Sequence, residues 1–331
     1  MDGGWSQEFA NARDQHRLER VAKQYGGDPG LQWRECRGVR IHAIQTGWVQ
    51  VRRNQILARK EDGLRVLRTI ADREWAAPVP IHAWLVEHPE GLLLVDTGET
   101  ARVADPGHHP GWHPYFRRSV RFEVRRHEEI DAQLQALGVD TGDVRWVVLT
   151  HLHTDHAGGI RHFPQAEVIV DPTEWQAAQG PSGILRGYLP QHWPSALKPH
   201  HALYKDGQWG AFERSMRLTS AGDVRIIPTP GHTSGHLSVS ISLLECDVLL
   251  AGDLSYTQEA LLADRLDGVA PSARLAHQTL RTMRRHVGMR PTVYLPSHDP
   301  GSADRLARRA FVEPIDRTQG PSAFPGAAGG S

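Results

Sequence analysis

The segment HLHTDHAGG spans residues 151–159 and directly follows the apolar run VRWVVLT at residues 144–150. His151 and His153 are two residues apart, so both side chains can point the same way as the chain leaves a strand. Asp155 and His156 follow on a tightening turn, and the two glycines after them allow close approach of neighbouring backbone. Imidazole and carboxylate groups in this spacing predict a metal site at the end of a strand.

Three further apolar runs lead to side chains of the same kind. RIIPTPG precedes His232, DVLLAG ends at Asp253, and TVYLPS precedes His298. Because α/β sheets gather ligands at the carboxyl edge of their strands, we expect these side chains to meet residues 151–156. Five histidines and two aspartates exceed the ligands of one catalytic ion and suit two ions, which a carboxylate such as that of Asp253 can bridge.

Strand-like runs alternate with helical patterns along the rest of the chain. Apolar alternation or continuous apolar runs predict strands at residues 38–47, 81–89, 91–98, 144–150, 166–171, 224–228, 236–243, 247–252 and 292–296. Helices are predicted over 128–138, with Ile130, Leu134 and Leu137 inward, and over 272–288, with Ala276, Leu280, Met283 and Val287 inward; a further helix begins at Asp171. Strands and helices in both halves predict an α/β fold in which two sheets face each other with helices outside.

Composition limits the partners and the compartment. Lys plus Arg and Asp plus Glu both total 38, so the net charge of zero gives no electrostatic reason to bind nucleic acid or an anionic membrane. The chain has two cysteines and its first twenty residues have no apolar signal core, from which we expect a cytoplasmic location. We expect an N-terminal arm at 1–35, one hydrolase domain at 36–312 and a disordered tail at 313–331.

The motifs THLHTDHAGG, TPGHTSGH, AGDLSY and PSHD resemble the metallo-β-lactamase superfamily and, within it, the N-acyl-homoserine lactonases, from about Ile81 to Asp299. The resemblance implies an αββα sandwich of two mixed sheets that holds two divalent metal ions. These are expected to be zinc, with iron, cobalt or manganese as alternatives. The resemblance also assigns the ligands: His151, His153 and His232 to the first ion, Asp155, His156 and His298 to the second, and Asp253 to both.

Tyr256 lies three residues after Asp253, where lactonases that this chain resembles have a catalytic tyrosine. A phenol there can donate a hydrogen bond to the oxygen that becomes negative when the lactone carbonyl is attacked. The alternative interpretation of Tyr256 is an aromatic residue packed at the end of a strand. Asp96 and His236 are expected to support the site by hydrogen bonding and not as ligands.

The resulting hypothesis is a quorum-quenching hydrolase that opens the lactone ring of N-acyl-homoserine lactones. Hydroxide generated at the two ions attacks the carbonyl, and Asp155 returns a proton to the leaving oxygen. Residues 180–212, which have no periodicity, and the N-terminal arm are expected to form the acyl pocket. Thr154 replaces a large apolar residue of close lactonases, which leaves the preferred acyl length open.

The motifs leave alternatives open for both the substrate and the functional class of the protein. Another lactone, a thioester or a phosphotriester would use the same ligands, and a di-iron redox enzyme or a binding module are the alternatives from other classes. The expected partner is a small lactone with an acyl chain, without nucleic acid or membrane. Oligomeric state is open; a homodimer with Trp5, Trp33 and Trp48 at its interface is one arrangement.

Overall fold

All the strands that the apolar patterns predict are present, and they form two sheets in a computed structural model that describes residues 38–60 and 63–313. The seven strands of the first sheet are β1 (Arg40–Val51), β2 (Val79–His88), β3 (Gly91–Val95), β4 (Val120–Glu123), β5 (Val144–Val148), β6 (Glu167–Val170) and β7 (His200–His201). The five strands of the second sheet are β8 (Met216–Arg217), β9 (Val224–Pro228), β10 (Leu237–Ser242), β11 (Asp247–Gly252) and β12 (Thr292–Pro296). The patterns missed β4, β7 and β8, which have only two to four residues each.

Both sheets are mixed, as predicted. The order of the first is β4-β1-β2-β3-β5-β6-β7, with parallel pairing from β3 onward. The order of the second is β12-β11-β10-β9-β8, in which only β11 and β12 are parallel. The parallel strands of each sheet therefore end at one edge, from which the chain continues into loops.

Ten helices lie within the described ranges. They are α1 (Arg53–Ile56), α2 (Arg65–Ala71), α3 (Pro114–Arg118), α4 (Ile130–Ala136), α5 (Thr154–Ala157), α6 (Pro172–Ala177), α7 (Gly180–Leu185), α8 (Gln258–Leu262), α9 (Ala273–Val287) and α10 (Ser302–Arg308). Short 3-10 turns occupy Ala101–Ala104, Arg126–Glu128, Thr141–Asp143, Ile160–His162 and Pro190–His192. None of these helices combines the length and the apolar composition that crossing a bilayer requires.

The core has three apolar layers, which confirms the αββα sandwich. Buried side chains of both sheets, such as Val86 and Val239, pack together between the sheets. On the outer face of the first sheet, Leu134 of α4 is buried, and Met283 of α9 is buried against the second sheet. Burial on both faces of the sheets accounts for the continuous apolar runs of β3 and β11, whereas β10 alternates apolar residues with buried serines.

The predicted helix boundaries are confirmed at two helices and corrected at one. The Asp171 side chain caps α6 by accepting hydrogen bonds from the backbone N–H groups of Thr173 and Glu174 at 2.7 and 3.4 Å. The four residues predicted to face inward from α9 are buried. Leu137 was wrongly predicted to be buried, because α4 ends at Ala136 and Leu137 is 49% exposed.

Some of the predictions fall outside the described residues. They are the N-terminal arm at 1–35, with Trp5 and Trp33, and the tail apart from residue 313. Trp48, which was assigned to that arm, instead lies within β1, opposite Pro80 of β2 and Glu123 of β4.

Candidate metal centre

The segment from His151 to Gly159 lies at the edge of the first sheet, where β5 ends. His151 and His156 are fully buried, and His156 belongs to the single turn of α5. The glycines are required by close packing: a Cβ atom at Gly158 would lie 2.9 Å from the carbonyl oxygen of Gly98, and one at Gly159 would lie 2.5 Å from that of Thr97. The loop thus packs directly on the loop that follows β3.

Three histidines form a first cluster. The Nε2 atom of His151 lies 3.0 Å from Nδ1 of His153, and that Nδ1 lies 3.2 Å from Nε2 of His232. His232 reaches this position because β9 ends at Pro228 and the TPGH loop folds over the end of β5. Three nitrogens at this spacing can ligate one ion.

A second cluster consists of Asp155, His156 and His298. The Nε2 atom of His298 lies 3.5 Å from Oδ2 of Asp155, and that of His156 lies 3.9 Å from Oδ1 of Asp155. The Nδ1 atom of His298 lies 2.9 Å from the carbonyl oxygen of Pro80, which fixes the ring so that Nε2 faces the aspartate. This set of ligand atoms can hold a further ion.

Asp253 lies between the two clusters. Its Oδ1 atom is 3.4 Å from Nε2 of both His156 and His298, while Oδ2 is 3.5 Å from Nε2 of His232. Each carboxylate oxygen therefore faces a different cluster, as a bridging ligand requires. Asp253 Oδ1 and His156 Nε2 are buried without a hydrogen-bond partner among the described residues, so the donor set fits cations.

Burial and neighbouring charges shift the pKa values of these residues in both directions. Burial opposes protonation of His156, His232 and His298, but nearby carboxylates outweigh it and raise their pKa values. Burial, followed by the neighbouring histidines, lowers the pKa of His151 well below its usual value and that of His153 to about 3. Both imidazoles are thus neutral, which is the form that ligates a metal. For Asp253, burial opposes ionisation, but His298 and His156 outweigh it and hold the pKa well below its usual range.

Asp96 and His236 support the two clusters by hydrogen bonding. The carboxylate of Asp96 lies 2.9 Å from Nδ1 of His156 and also accepts the backbone N–H of Thr150; its φ of +61° marks a constrained turn after β3. His236 accepts the backbone N–H of Asp253 at 2.9 Å through Nε2. The supporting positions that the sequence indicated for Asp96 and His236 agree with these contacts.

Asp267 is a supporting residue that the sequence patterns missed. Its Oδ2 atom lies 3.0 Å from Nδ1 of His232, and its Oδ1 accepts the backbone N–H groups of Val269 and Ala270. Helix α8 ends at Leu262 and α9 begins at Ala273. The loop between these helices carries Asp267, so no helical periodicity could identify it.

Glu174 is a second supporting residue that was missed. It is fully buried, and its carboxyl oxygens accept the backbone N–H groups of Leu152 at 3.1 Å and Gly235 at 3.2 Å. Leu152 lies between two histidines of the first cluster, and Gly235 lies three residues after the third. The sequence suggested only that Glu174 marks the start of a helix.

Tyr256 lies beside both clusters. Its ring stacks on His298, with centroids 5.4 Å apart, and its centroid is 6.2 Å from that of His232. Burial, followed by the charge of Asp253, raises its pKa well above 10, so the phenol is a protonated hydrogen-bond donor at neutral pH. The hydroxyl lies 2.9 Å from Nε2 of Gln55, which comes from α1.

A cavity of about 670 Å³ opens from the clusters to the surface. Its deep end is polar, with His153, Thr154, Asp155, His232, Asp253 and Tyr256. Its outer wall is apolar and is formed mainly by Val49, Val51, Val66, Ile70, Phe116 and Phe122. Of residues 180–212, Leu185 to Tyr188 line this cavity; the N-terminal arm, the other predicted part of the acyl pocket, lies outside the described residues.

A further group of metal-capable side chains lies away from the cavity. Glu129, Asp131 and His162 are close together, but Arg161 lies 2.7 Å from Glu129 and Arg126 binds Asp131 through two nitrogens. The guanidinium groups already supply the positive charge, so this group is a structural ion-pair network.

Comparison with known proteins shows the family to which the chain belongs. The model of the metallo-beta-lactamase superfamily matches residues 76–298. The N-acyl homoserine lactonase AttM of Azorhizobium caulinodans is 30% identical over 270 residues, which cover 79% of this chain and 94% of that protein. The resemblance drawn from the motifs is confirmed.

Solved structures show the same fold. An N-acyl homoserine lactone hydrolase with the product N-hexanoyl-L-homoserine at its catalytic metal centre has a TM-score of 0.63 and 21% identity, covering 80% of this chain and 94% of that one. AidC, a dizinc quorum-quenching lactonase, has a TM-score of 0.54 and 17% identity, covering 79% and 88%.

Proposed function

The chain belongs to the metallo-beta-lactamase superfamily, and we propose that it is a dinuclear hydrolase that opens the lactone ring of N-acyl homoserine lactones. The observation that carries this proposal is the position of Asp253, whose two oxygens face different ligand clusters at 3.4 and 3.5 Å. A cytoplasmic location is part of the proposal and rests on the low cysteine content.

We propose that His151, His153 and His232 hold one ion and that Asp155, His156 and His298 hold the other. When bound, divalent cations supply Lewis acidity, which polarises an ester carbonyl and makes water nucleophilic near neutral pH. Zinc is proposed for both positions because neutral imidazoles and carboxylates are its usual ligands in hydrolases. The dizinc lactonase AidC, which has the same fold, supports this choice.

Tyr256 and Asp155 are the groups proposed to contact the reacting atoms. The protonated phenol of Tyr256 would donate a hydrogen bond to the lactone carbonyl oxygen, and this bond strengthens as negative charge develops on that oxygen. Asp155 lines the same cavity and would carry a proton to the ring oxygen as its bond to the carbonyl carbon breaks. The products are then a carboxylate and an alcohol of one open chain.

The shape of the cavity supports an amphiphilic substrate. A polar deep end beside the ligand clusters suits the lactone, and an apolar outer wall suits an acyl chain. Val66 is 43% exposed at the cavity mouth, so the wall continues to the protein surface. Thr154 occupies the deep end, where a larger side chain would reduce the volume.

The test is a substrate panel with Tyr256→Phe and a matched control. We expect N-acyl homoserine lactones to give a higher kcat/KM than thioesters or phosphotriesters, and metal analysis to find two ions per chain. Tyr256→Phe should lower kcat about 100-fold, as loss of an oxyanion donor does, with the metal content unchanged. Tyr294→Phe is the control, because Tyr294 is also buried but bonds Ser255 outside the cavity.

Each result bears on a different part of the proposal. One ion per chain would contradict the dinuclear site. A thioester or phosphotriester preferred over lactones would leave the site but overturn the substrate. Equal kcat for Tyr256→Phe and the parent enzyme would remove the phenol from the reaction.

A further inference from the structure

One buried amide joins two phenols at the deep end of the cavity. Gln55 is 4% exposed, and its Nε2 atom lies 2.9 Å from the hydroxyl of Tyr256 and 2.9 Å from that of Tyr115. Tyr115 belongs to α3, and all three side chains line the cavity. Gln55 lies before residues 76–298, which the superfamily model matches.

The number of hydrogen atoms determines what each group can donate. An amide nitrogen carries two hydrogens, one for each phenol, so both phenol oxygens act as acceptors from Gln55. The phenol hydrogens are then left for other acceptors, and neither hydroxyl has a second protein partner in the described ranges. If the amide were turned by 180°, Oε1 would face both phenols and the two hydrogens on Nε2 would be buried without acceptors. In the observed orientation, Oε1 is the one polar atom of the amide without a partner.

The amide is held by its backbone as well. The carbonyl oxygen of Gln55 accepts the N–H of Gly268 at 2.9 Å, and a Cβ atom at Gly268 would lie 2.0 Å from the carbonyl oxygen of Asn54. Helix α1 is therefore packed against the loop that carries Asp267. This contact fixes the amide relative to the ligand clusters.

The spacing of the two phenols matches two acceptors. Hydroxyl oxygens bonded to the two hydrogens of one planar amide lie about 5 Å apart. An N-acyl homoserine lactone carries two carbonyl oxygens, one in the ring and one in the amide attached to the neighbouring ring carbon. A simple ester or phosphotriester lacks this second carbonyl.

We infer that Gln55 is a positioning residue that keeps both phenol hydrogens directed at the substrate, with Tyr256 donating to the ring carbonyl and Tyr115 to the amide carbonyl. This inference rests on the proposed function and extends it to the recognition of the acylamino group. Burial raises the pKa of Tyr115 above its usual value, which keeps it a donor at neutral pH. The bond to the amide carbonyl is the same in the ground state and the transition state, so it should act on KM, whereas the bond of Tyr256 should act on kcat.

The experiment uses the metal-loaded enzyme with N-hexanoyl-L-homoserine lactone. Tyr115→Phe should raise KM about tenfold with kcat within about twofold, and should weaken calorimetric binding of the ring-opened product to a similar extent. Gln55→Met should lower kcat about tenfold and also raise KM. In the Tyr256→Phe background, Gln55→Met should lower kcat by less than about twofold, because the group it positions is already gone.

Thermal unfolding and metal content of each variant test for indirect effects. An equal loss of kcat from Gln55→Met in both backgrounds would reduce Gln55 to a packing role and overturn the inference. Unchanged KM and product binding in Tyr115→Phe would overturn it independently, including when Gln55→Met does not fold. If the parent enzyme itself opens no acyl-homoserine lactone, the proposed function fails instead.

Discussion

Replacing Glu174 with glutamine tests whether one buried carboxyl group holds the two ligand loops together. Its oxygens accept the backbone N–H of Leu152, in the HLHTDH loop, and that of Gly235, in the loop after His232. Glutamine has nearly the same shape, but one of its two terminal atoms is an NH2 group that cannot accept. One backbone N–H would therefore be left buried and unpaired.

The single unpaired N–H group determines the expected loss of stability. An unpaired buried donor costs about 1–3 kcal/mol, so the free energy of unfolding should fall by that amount. Residues that orient metal ligands through hydrogen bonds typically change metal affinity 10- to 100-fold, so we expect a loss of that size. The loss of metal affinity should be largest at the first cluster, because Leu152 is adjacent to both His151 and His153.

The assay combines urea unfolding of the metal-free protein with chelator competition on the loaded protein. Glu90→Gln is the matched control: Glu90 also accepts two backbone N–H groups, those of Ser220 and Ala221 at 2.9 and 3.2 Å, but at the surface and away from the clusters. The control should change metal affinity by less than about twofold. Unchanged metal affinity in Glu174→Gln, or an equal loss in the control, would refute the reasoning.

Two further predictions concern other buried groups. Asp267→Ala should reduce metal affinity about 10- to 100-fold in chelator competition, because His232 loses the partner at its Nδ1 atom, and an affinity within twofold of the parent would contradict this role. Burial lowers the pKa of His82 to about 4. Below pH 6.5, His82 therefore takes up a proton in the unfolded chain but not in the folded chain. The free energy of unfolding then falls as the pH drops from 6.5 to 4. His82→Gln should remove up to about 3 kcal/mol of this fall in the urea unfolding of metal-free protein between pH 7 and 4. Exposed His201→Gln should leave the fall unchanged, and identical pH dependence in all three proteins would contradict the assignment.

The positions of the candidate ligands were predictable because each lies in the segment that follows an apolar strand. His151 comes three residues after β5 ends, Asp253 directly after β11, and His298 two residues after β12. Strand ends at one edge of a sheet lie close together in space, so the end of each apolar run also indicated which distant residues meet. Two facing sheets with helices outside were predictable for the same reason, since continuous apolar runs or apolar alternation mark the central strands of both sheets.

The supporting residues could not be predicted in this way. His232 and Asp267 are 35 residues apart, Glu174 and Gly235 are 61 apart, and Gln55 and Tyr256 are 201 apart. Asp267, His232 and Gly235 lie in loops, which have no periodicity that indicates which side chain faces inward. Glu174 and Gln55 lie in α6 and α1, which have six and four residues and are too short to show one. A single polar residue in such a segment cannot be distinguished from a solvated one by its sequence pattern.

The apolar residues of the cavity wall could not be distinguished from core residues in the sequence either, and they affect which substrate can bind. Val49 and Val51 are apolar residues in a strand, so their pattern is the same whether they fill a core or line an opening. The residues that β1, α1 and α2 contribute to this wall all precede residue 76, where the match to the superfamily begins. The ligand clusters lie within that match, whereas much of the apolar wall and the amide of Gln55 lie before it. Preference for acyl length and for the acylamino group should therefore be decided by residues 49–70 of this chain, and substituting those residues should change KM for different acyl lactones while the metal content stays the same.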